Sequence, residues 1–168
     1  MLLFPQDMTQ NPRAPDLEAQ RVAMGRLSFL AGEWIGRASI QRGPGAPTEL
    51  VQTENVQYKL DGLVLMIEGV GRASSDGQPV LQALGLISYD DQRMVYQMRA
   101  FNEGRFLEAE VKLLEHGKSM TWGFTLGDIR TKSLLRMDEN GQWTELHEII
   151  IGSQPPKRLM EIAVRRQK

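Results

Sequence analysis

Leu27-Ser28-Phe29-Leu30-Ala31-Gly32-Glu33-Trp34-Ile35-Gly36 is the stretch where the apolar period of this chain changes. Upstream of it, Ala19, Ala23, Leu27 and Leu30 recur at helical spacing with Met24 beside them. Asp16 is placed to cap that helix, and Glu18 sits in its first turn, where the helix dipole favours an acid. The spacing predicts one short amphipathic helix from Asp16 to Leu30, with Gly32 letting the chain turn out of it. Downstream, Trp34, Gly36, Ala38 and Ile40 alternate with Ile35, Arg37, Ser39 and Gln41, which is the period of a strand.

The strand period then persists to the end of the chain. Leu50, Gln52, Glu54, Val56, Tyr58 and Leu60 form a second alternating face. Further runs are Leu63–Val70, Val80–Tyr89, Arg93–Phe101, Arg105–Leu114, Ser119–Leu126, Ile129–Met137, Trp143–Ile151 and Arg158–Arg166. Between them stand Asp61-Gly62, Asp76-Gly77, Asp90-Asp91, Glu103-Gly104, His116-Gly117, Gly127-Asp128 and Asn140-Gly141, residue types that accept the positive φ of tight hairpins. About ten strands in hairpin succession predict an all-β antiparallel meander, and closing it into a barrel removes its exposed edges. A sandwich is the competing architecture, but Greek-key sandwiches need a long crossover and the longest loop here, Arg42–Pro47, is modest. The expected organisation is an extended tail over 1–15, carrying Pro5, Pro12 and Pro15, and a single barrel domain over 16–168 with the helix capping one end.

The composition narrows the function classes. At 168 residues the chain suits one domain, and 41% hydrophobic residues are enough for a sizeable core. Lys and Arg number 20 and Asp and Glu 21, a net charge of −1, so the basic footprint of a nucleic-acid binder is missing. With no cysteine, disulfides, thiolate metal sites and cysteine nucleophiles are excluded. No segment approaches the ~18 apolar residues of a membrane-spanning helix. Met1-Leu2-Leu3-Phe4-Pro5 is too short an apolar run for a secretory leader, which makes the cytoplasm the expected location.

Gly32-x-Trp34 with Gly36 after a short helix resembles the opening of the lipocalin and fatty-acid-binding superfamily, the calycins. More closely, residues 27–166 resemble a bacterial family of lipocalin-like barrels without a settled activity. Leu60-Asp61-Gly62-Leu63, Gly85-Leu86-Ile87-Ser88-Tyr89-Asp90, Asn140-Gly141-Gln142-Trp143-Thr144-Glu145 and Met160-Glu161-Ile162-Ala163-Val164-Arg165-Arg166 carry that likeness in order. One departure is Gly152-Ser153-Gln154-Pro155-Pro156, which stands where the family has an Asp-Gly-Gly hairpin before the last strand. Nitrobindin-type haem barrels, similar in outline, hold haem through a histidine near the C-terminal end. The resemblance implies that Trp34 packs across the closed end of the barrel and that Arg165 or Arg166 covers its ring.

The candidate site residues are those that interrupt the apolar pattern. His147 lies in a strand between Glu145 and Glu148 and is a candidate pocket residue, general base or haem ligand. A single strand histidine makes no metal cluster, and His116 falls in a turn. Glu54, Glu68, Glu148 and Glu161 sit among apolar residues in strands. An inward carboxylate would need a partner, for which Arg99 is a candidate; such a pair would hold a polar head group, as the resemblance implies for fatty acids. Met66, Met94, Met98, Met120, Met137 and Met160 all read as strand residues, and with Tyr58, Tyr96, Phe101, Phe106, Trp122 and Phe124 they are candidates to line an apolar cavity. Alternation alone does not say which face of each strand is inside.

The expected function is therefore binding of a small hydrophobic or amphipathic molecule, with Glu54, Tyr58, Met66, Glu68, Met98, Arg99, Trp122, His147 and Glu148 at the pocket and no cofactor. A barrel enzyme of isomerase, cyclase or decarboxylase type using an inward Glu or His147, a haem barrel using His147, and a non-catalytic interaction module are the alternatives. The sequence does not separate a monomer from a homodimer, and it names no nucleic-acid or membrane-spanning role.

Overall fold

A computed structural model of the chain describes residues 13–114 and 117–168. Over those residues the chain folds as helix α1 (Leu17–Gly25), a 3-10 turn (Ser28–Leu30) and strands β1 (Gly32–Ile40), β2 (Thr48–Lys59), β3 (Val64–Ala73), β4 (Pro79–Asp90), β5 (Val95–Asn102) and β6 (Arg105–Leu113). The short β7 (Ser119–Trp122) and β8 (Thr125–Leu126) follow, then β9 (Ile129–Met137), β10 (Gln142–Ile151) and β11 (Lys157–Arg166). Each strand from β1 to β6 pairs antiparallel with the next, β7 pairs with β9, β9 with β10, β10 with β11 and β11 with β1. The sheet is thus a closed ten-stranded antiparallel barrel, with β8 an added stub on β9. The tail predicted over residues 1–15 lies largely outside the described residues, as does His116.

The sequence reading and the structure part at three places. The helix stops at Gly25, five residues before Leu30, with Arg26 as its C-cap. Glycine is a poor helix interior residue, and the turn at Ser28–Leu30 lets both Leu27 and Leu30 reach the core, where each is fully buried with Met24. The run Ser119–Leu126 breaks at Gly123-Phe124, where the Phe124 amide turns to the Thr131 hydroxyl (3.0 Å) and away from the sheet ladder. Met94 is no strand residue: it lies in the turn between β4 and β5, with φ 56° and largely exposed.

One end of the barrel is filled. Asp16 caps α1 by accepting from the Ala19 amide, and Asp91 in the β4–β5 turn accepts from the Asp16 amide (3.0 Å) and the Gln20 amide (2.6 Å). At the other end of α1, Tyr58 donates to the Met24 carbonyl (2.6 Å) and Tyr96 to the Ala23 carbonyl (2.7 Å), each a second donor beside the Leu27 and Arg26 amides that close the helix terminus. Burial pushes both phenols above their usual range. Full burial of Met24, Leu27 and Leu30 contributes roughly 1.5–3 kcal/mol for each side chain.

Trp34 is at the centre of this end. Its ring is 1% exposed, its Nε1 donates to the Leu30 carbonyl (2.8 Å), and Trp143 meets it edge-on at 5.3 Å. Arg166 stacks over the ring at 4.4 Å and donates to the carbonyls of Ala31 and Phe29. Arg165 does not share this role; it is exposed and reaches only the Asn140 carbonyl (3.5 Å). Gly36 explains the rest of the opening motif. A Cβ there would stand 2.1 Å from the Ala163 carbonyl oxygen, so only glycine lets β1 pass this close to β11 at the seam that closes the barrel.

Candidate functional site

The half of the barrel away from α1 is not filled. The inner faces of β3, β4 and β5 there carry Gly69, Gly71, Ala83, Gly85 and Ala100, so the wall recedes where the helix end has Leu65, Ile87 and Tyr96. The space left is a cavity of about 280 Å³. Its wall is predominantly apolar, including Ile40, Ile67, Met98, Trp122, Phe124 and Ile162. A more open depression lies on the outer face of β9, β10, β11, β1 and β2, among Arg37, Glu49, Arg136 and Glu161.

The polar groups of the cavity converge from β2, β9 and β10. Gln52 and Glu54 are successive inward residues of β2, 1% and 6% exposed, and the Gln52 amide donates to Glu54 Oε1 (2.7 Å). Gly69, paired with Glu54 across β3, makes room for that carboxyl: a Cβ there would come within 2.8 Å of Glu54 Oε2. From β10, Glu145 accepts from Trp143 Nε1 at Oε1 (2.8 Å) and meets His147 Nε2 at Oε2 (2.7 Å). His147 Nδ1 meets the hydroxyl of its cross-strand partner Ser133 (2.8 Å), and Trp122 packs edge-on against the imidazole at 5.9 Å. A chain Ser133–His147–Glu145–Trp143 thus faces the pair Gln52–Glu54. Two acceptors remain buried without a partner among the described residues, Gln52 Oε1 and Asn102 Oδ1.

Glu54 is perturbed. Removal from water, then the neighbouring Glu145 carboxylate, push its pKa up to about 8, and the hydrogen bond from Gln52 only partly offsets them. At neutral pH it is mostly a carboxylic acid, able to donate as well as accept.

The structure brings together Glu54, Met98, Trp122 and His147 of the residues expected at the pocket. Tyr58 points inward at the filled end and holds the helix. Met66 and Glu68 face out, because the inward residues of β3 are Leu65, Ile67, Gly69 and Gly71. Arg99 also faces out and pairs with Glu108 on β6 (3.1 Å), so it forms no pair with a carboxylate inside the barrel. Glu148 stands opposite exposed Lys132, on the outer face of β10. Phe101 and Phe106 stack on each other outside the barrel. Gln52, Ser133, Asn102 and Glu145 are site residues that the sequence reading did not select; Gln52 and Glu145 flanked chosen residues at the two-residue spacing, which was the available signal.

Both ring nitrogens of His147 are engaged, so ligation of haem there would exchange the bond to Ser133 or the bond to Glu145 for the bond to iron and leave the other in place. Among the described residues no group of three or more His, Asp or Glu is placed to hold a metal ion. No helix among them is long and apolar enough to cross a membrane.

No protein-family model matches the chain, and no curated protein matches it. Among solved structures it is similar to Rv2717c from M. tuberculosis, with a TM-score of 0.65 at 16% sequence identity, over 87% of this chain and 98% of that one. At that identity the likeness is one of fold: this chain shares with Rv2717c a closed antiparallel β-barrel architecture.

Proposed function

We propose that the barrel is a binding protein whose interior takes one compact, predominantly apolar molecule with a polar end. The half-empty interior is the observation that carries this: one end is packed by helix and tryptophans, while glycines and alanines leave about 280 Å³ in the other. An engineered cavity of about 150 Å³ holds benzene, so there is room here for a molecule roughly twice that size. The apolar wall supplies burial energy at roughly 25 cal/mol per Å², and the Gln52–Glu54 corner orients the polar end. A fatty-acid carboxylate suits the site poorly, since no Lys or Arg is among the lining residues. Kinship with the lipocalin-like barrels belongs to this reading; Gly32-x-Trp34-x-Gly36 with Arg166 over the ring supports it.

Native mass spectrometry of the purified protein, followed by denaturing extraction, tests the reading. A bound mass of that size, lost when Ala100→Phe fills the cavity, is the expected result. A protein that carries nothing, and whose melting temperature no compact apolar compound raises, would sink it.

The Ser133–His147–Glu145 chain beside a neutral Glu54 favours a second reading, an enzyme that moves a proton on a bound substrate. It replaces the first if the extracted molecule is converted on incubation with the protein and Glu54→Gln stops the conversion while preserving binding.

A further inference from the structure

We propose that the molecule held in the cavity is an apolar amine, bound as its ammonium form against Glu54. This rests on the binding reading above and names the ligand class. The hydrogen-bonding groups of the cavity are unequally divided. On the acceptor side stand the Glu54 carboxyl, Gln52 Oε1 and Asn102 Oδ1. Beside the Glu54 carboxyl, Gln52 Oε1 is an unpartnered acceptor on a side chain 1% exposed. On the donor side the Gln52 amide is given to Glu54, Trp143 Nε1 to Glu145, and the imidazole lies between Ser133 and Glu145, so both buried side-chain atoms left without a partner among the described residues are acceptors. No Lys or Arg is among the lining residues, and at the β5–β6 turn Arg42 and Arg105 are both paired with Glu103.

A buried acceptor without a donor is costly, and a ligand that brings several N–H donors removes that cost. An ammonium head has three donors and a charge opposite to that of an ionised Glu54. The apolar remainder of the ligand would lie against Met98, Trp122, Phe124 and Ile162, and the aromatic rings there attract a cation as well. An anion would meet two carboxyl groups with no counter-charge.

The proton balance follows from the site. In the free protein at pH 7 Glu54 holds a proton, its carboxyl held up to about 8 by burial. The titratable groups facing it are Glu145 and His147, both from β10; β1 presents Trp34, Gly36 and Ala38, β3 Ile67 and Gly69, and β11 Met160, Ile162 and Val164. Binding of an ammonium restores the ordinary preference of Glu54 for the carboxylate, so the carboxyl proton leaves to solvent.

The test uses the intact protein and three probes of one size: 2-phenylethylammonium, 2-phenylethanol and phenylacetate. Titration calorimetry in buffers of different ionisation enthalpy reads affinity and proton release together. The ammonium is expected to bind at least tenfold tighter than the other two, to release close to one proton at pH 7, and to gain nearly tenfold in affinity from pH 6 to pH 7, levelling above pH 8. Glu54→Gln should abolish the proton release and the pH dependence; the comparison of probes on the unaltered protein stands even if that variant does not fold. If phenylethanol or phenylacetate binds as tightly as the ammonium, or the ammonium binds without releasing a proton, the amine assignment is overturned while the cavity still binds. If none of the three binds at millimolar concentration, the binding reading fails together with it.

Discussion

Replacing Glu54 by Gln should make the protein more stable at high pH and leave it nearly unchanged at pH 5. The carboxyl is 6% exposed, and its pKa in the fold is raised to about 8 from an ordinary value of 4.5. A raised pKa means the folded state keeps a proton that the unfolded chain gives up. The contribution of Glu54 to stability is therefore fully present below about pH 4.5 and is lost as pH rises through 8. Within that window each pH unit removes up to about 1.4 kcal/mol. The loss by pH 9 is about 5 kcal/mol as an upper bound, since water entering the cavity would screen the charge. Glutamine keeps the shape and the polar contact with Gln52 but never ionises. Urea unfolding at pH 5, 6, 7, 8 and 9, with the slope m checked for constancy, should give midpoints for Glu54→Gln that nearly coincide with those of the parent at pH 5, exceed them increasingly up to pH 8 and hold that lead at pH 9. Two parallel curves would mean that Glu54 ionises in the fold at little cost, and the account of a dry, acceptor-rich corner would be wrong.

Trp34→Ala should cost about 3–5 kcal/mol, read as a large drop in melting temperature, because the ring is buried between Leu30, Trp143 and Arg166. Arg166→Met keeps much of the apolar stem and should cost less, about 1–2 kcal/mol, through the lost ring contact and the unsatisfied carbonyls of Ala31 and Phe29. Gly36→Ala should cost on the order of 3 kcal/mol, or prevent folding, since the added methyl meets backbone on β11; an unaltered melting curve would refute the close-approach argument. Tyr96→Phe removes one of the two donors to the Ala23 carbonyl, the Arg26 amide being the other, and should cost about 1 kcal/mol, with faster amide exchange confined to α1.

The strands and turns were legible because each carried its own local signal. Asp61-Gly62, Glu103-Gly104 and Asn140-Gly141 all lie at turns, with Gly62, Gly104 and Gly141 at positive φ. Which face pointed inward was legible only where the inner residues are large. On β2 the inner set Leu50, Gln52, Glu54 and Val56 reads as one face, whereas on β3 the inner set ends in Gly69 and Gly71 and the outer face carries Val64, Met66 and Val70. The outer face of β3 is thus as apolar as the inner, and the pattern alone cannot keep Met66 and Glu68 out of the pocket. The same holds for Arg99, because the inner face of β5 at that point is the small Ala100. The glycines and alanines that create the cavity are what hid it. The hydrogen-bonded chain through Ser133, His147 and Glu145 needed the register of β9 against β10, which no single stretch of sequence contains.

The most direct test of a receptive barrel interior is the methyl NMR spectrum of the methionines on addition of a compact apolar compound such as naphthalene. Met98, Met120 and Met160 line the cavity, whereas Met66 lies on the outer face of β3 and Met94 in an exposed turn, so the protein carries its own controls. Saturable shifts of Met98, Met120 and Met160, with Met66 and Met94 unmoved, are the predicted result. Shifts confined to Met66 and Met94, or none at any of the five, would contradict an interior that takes up a ligand.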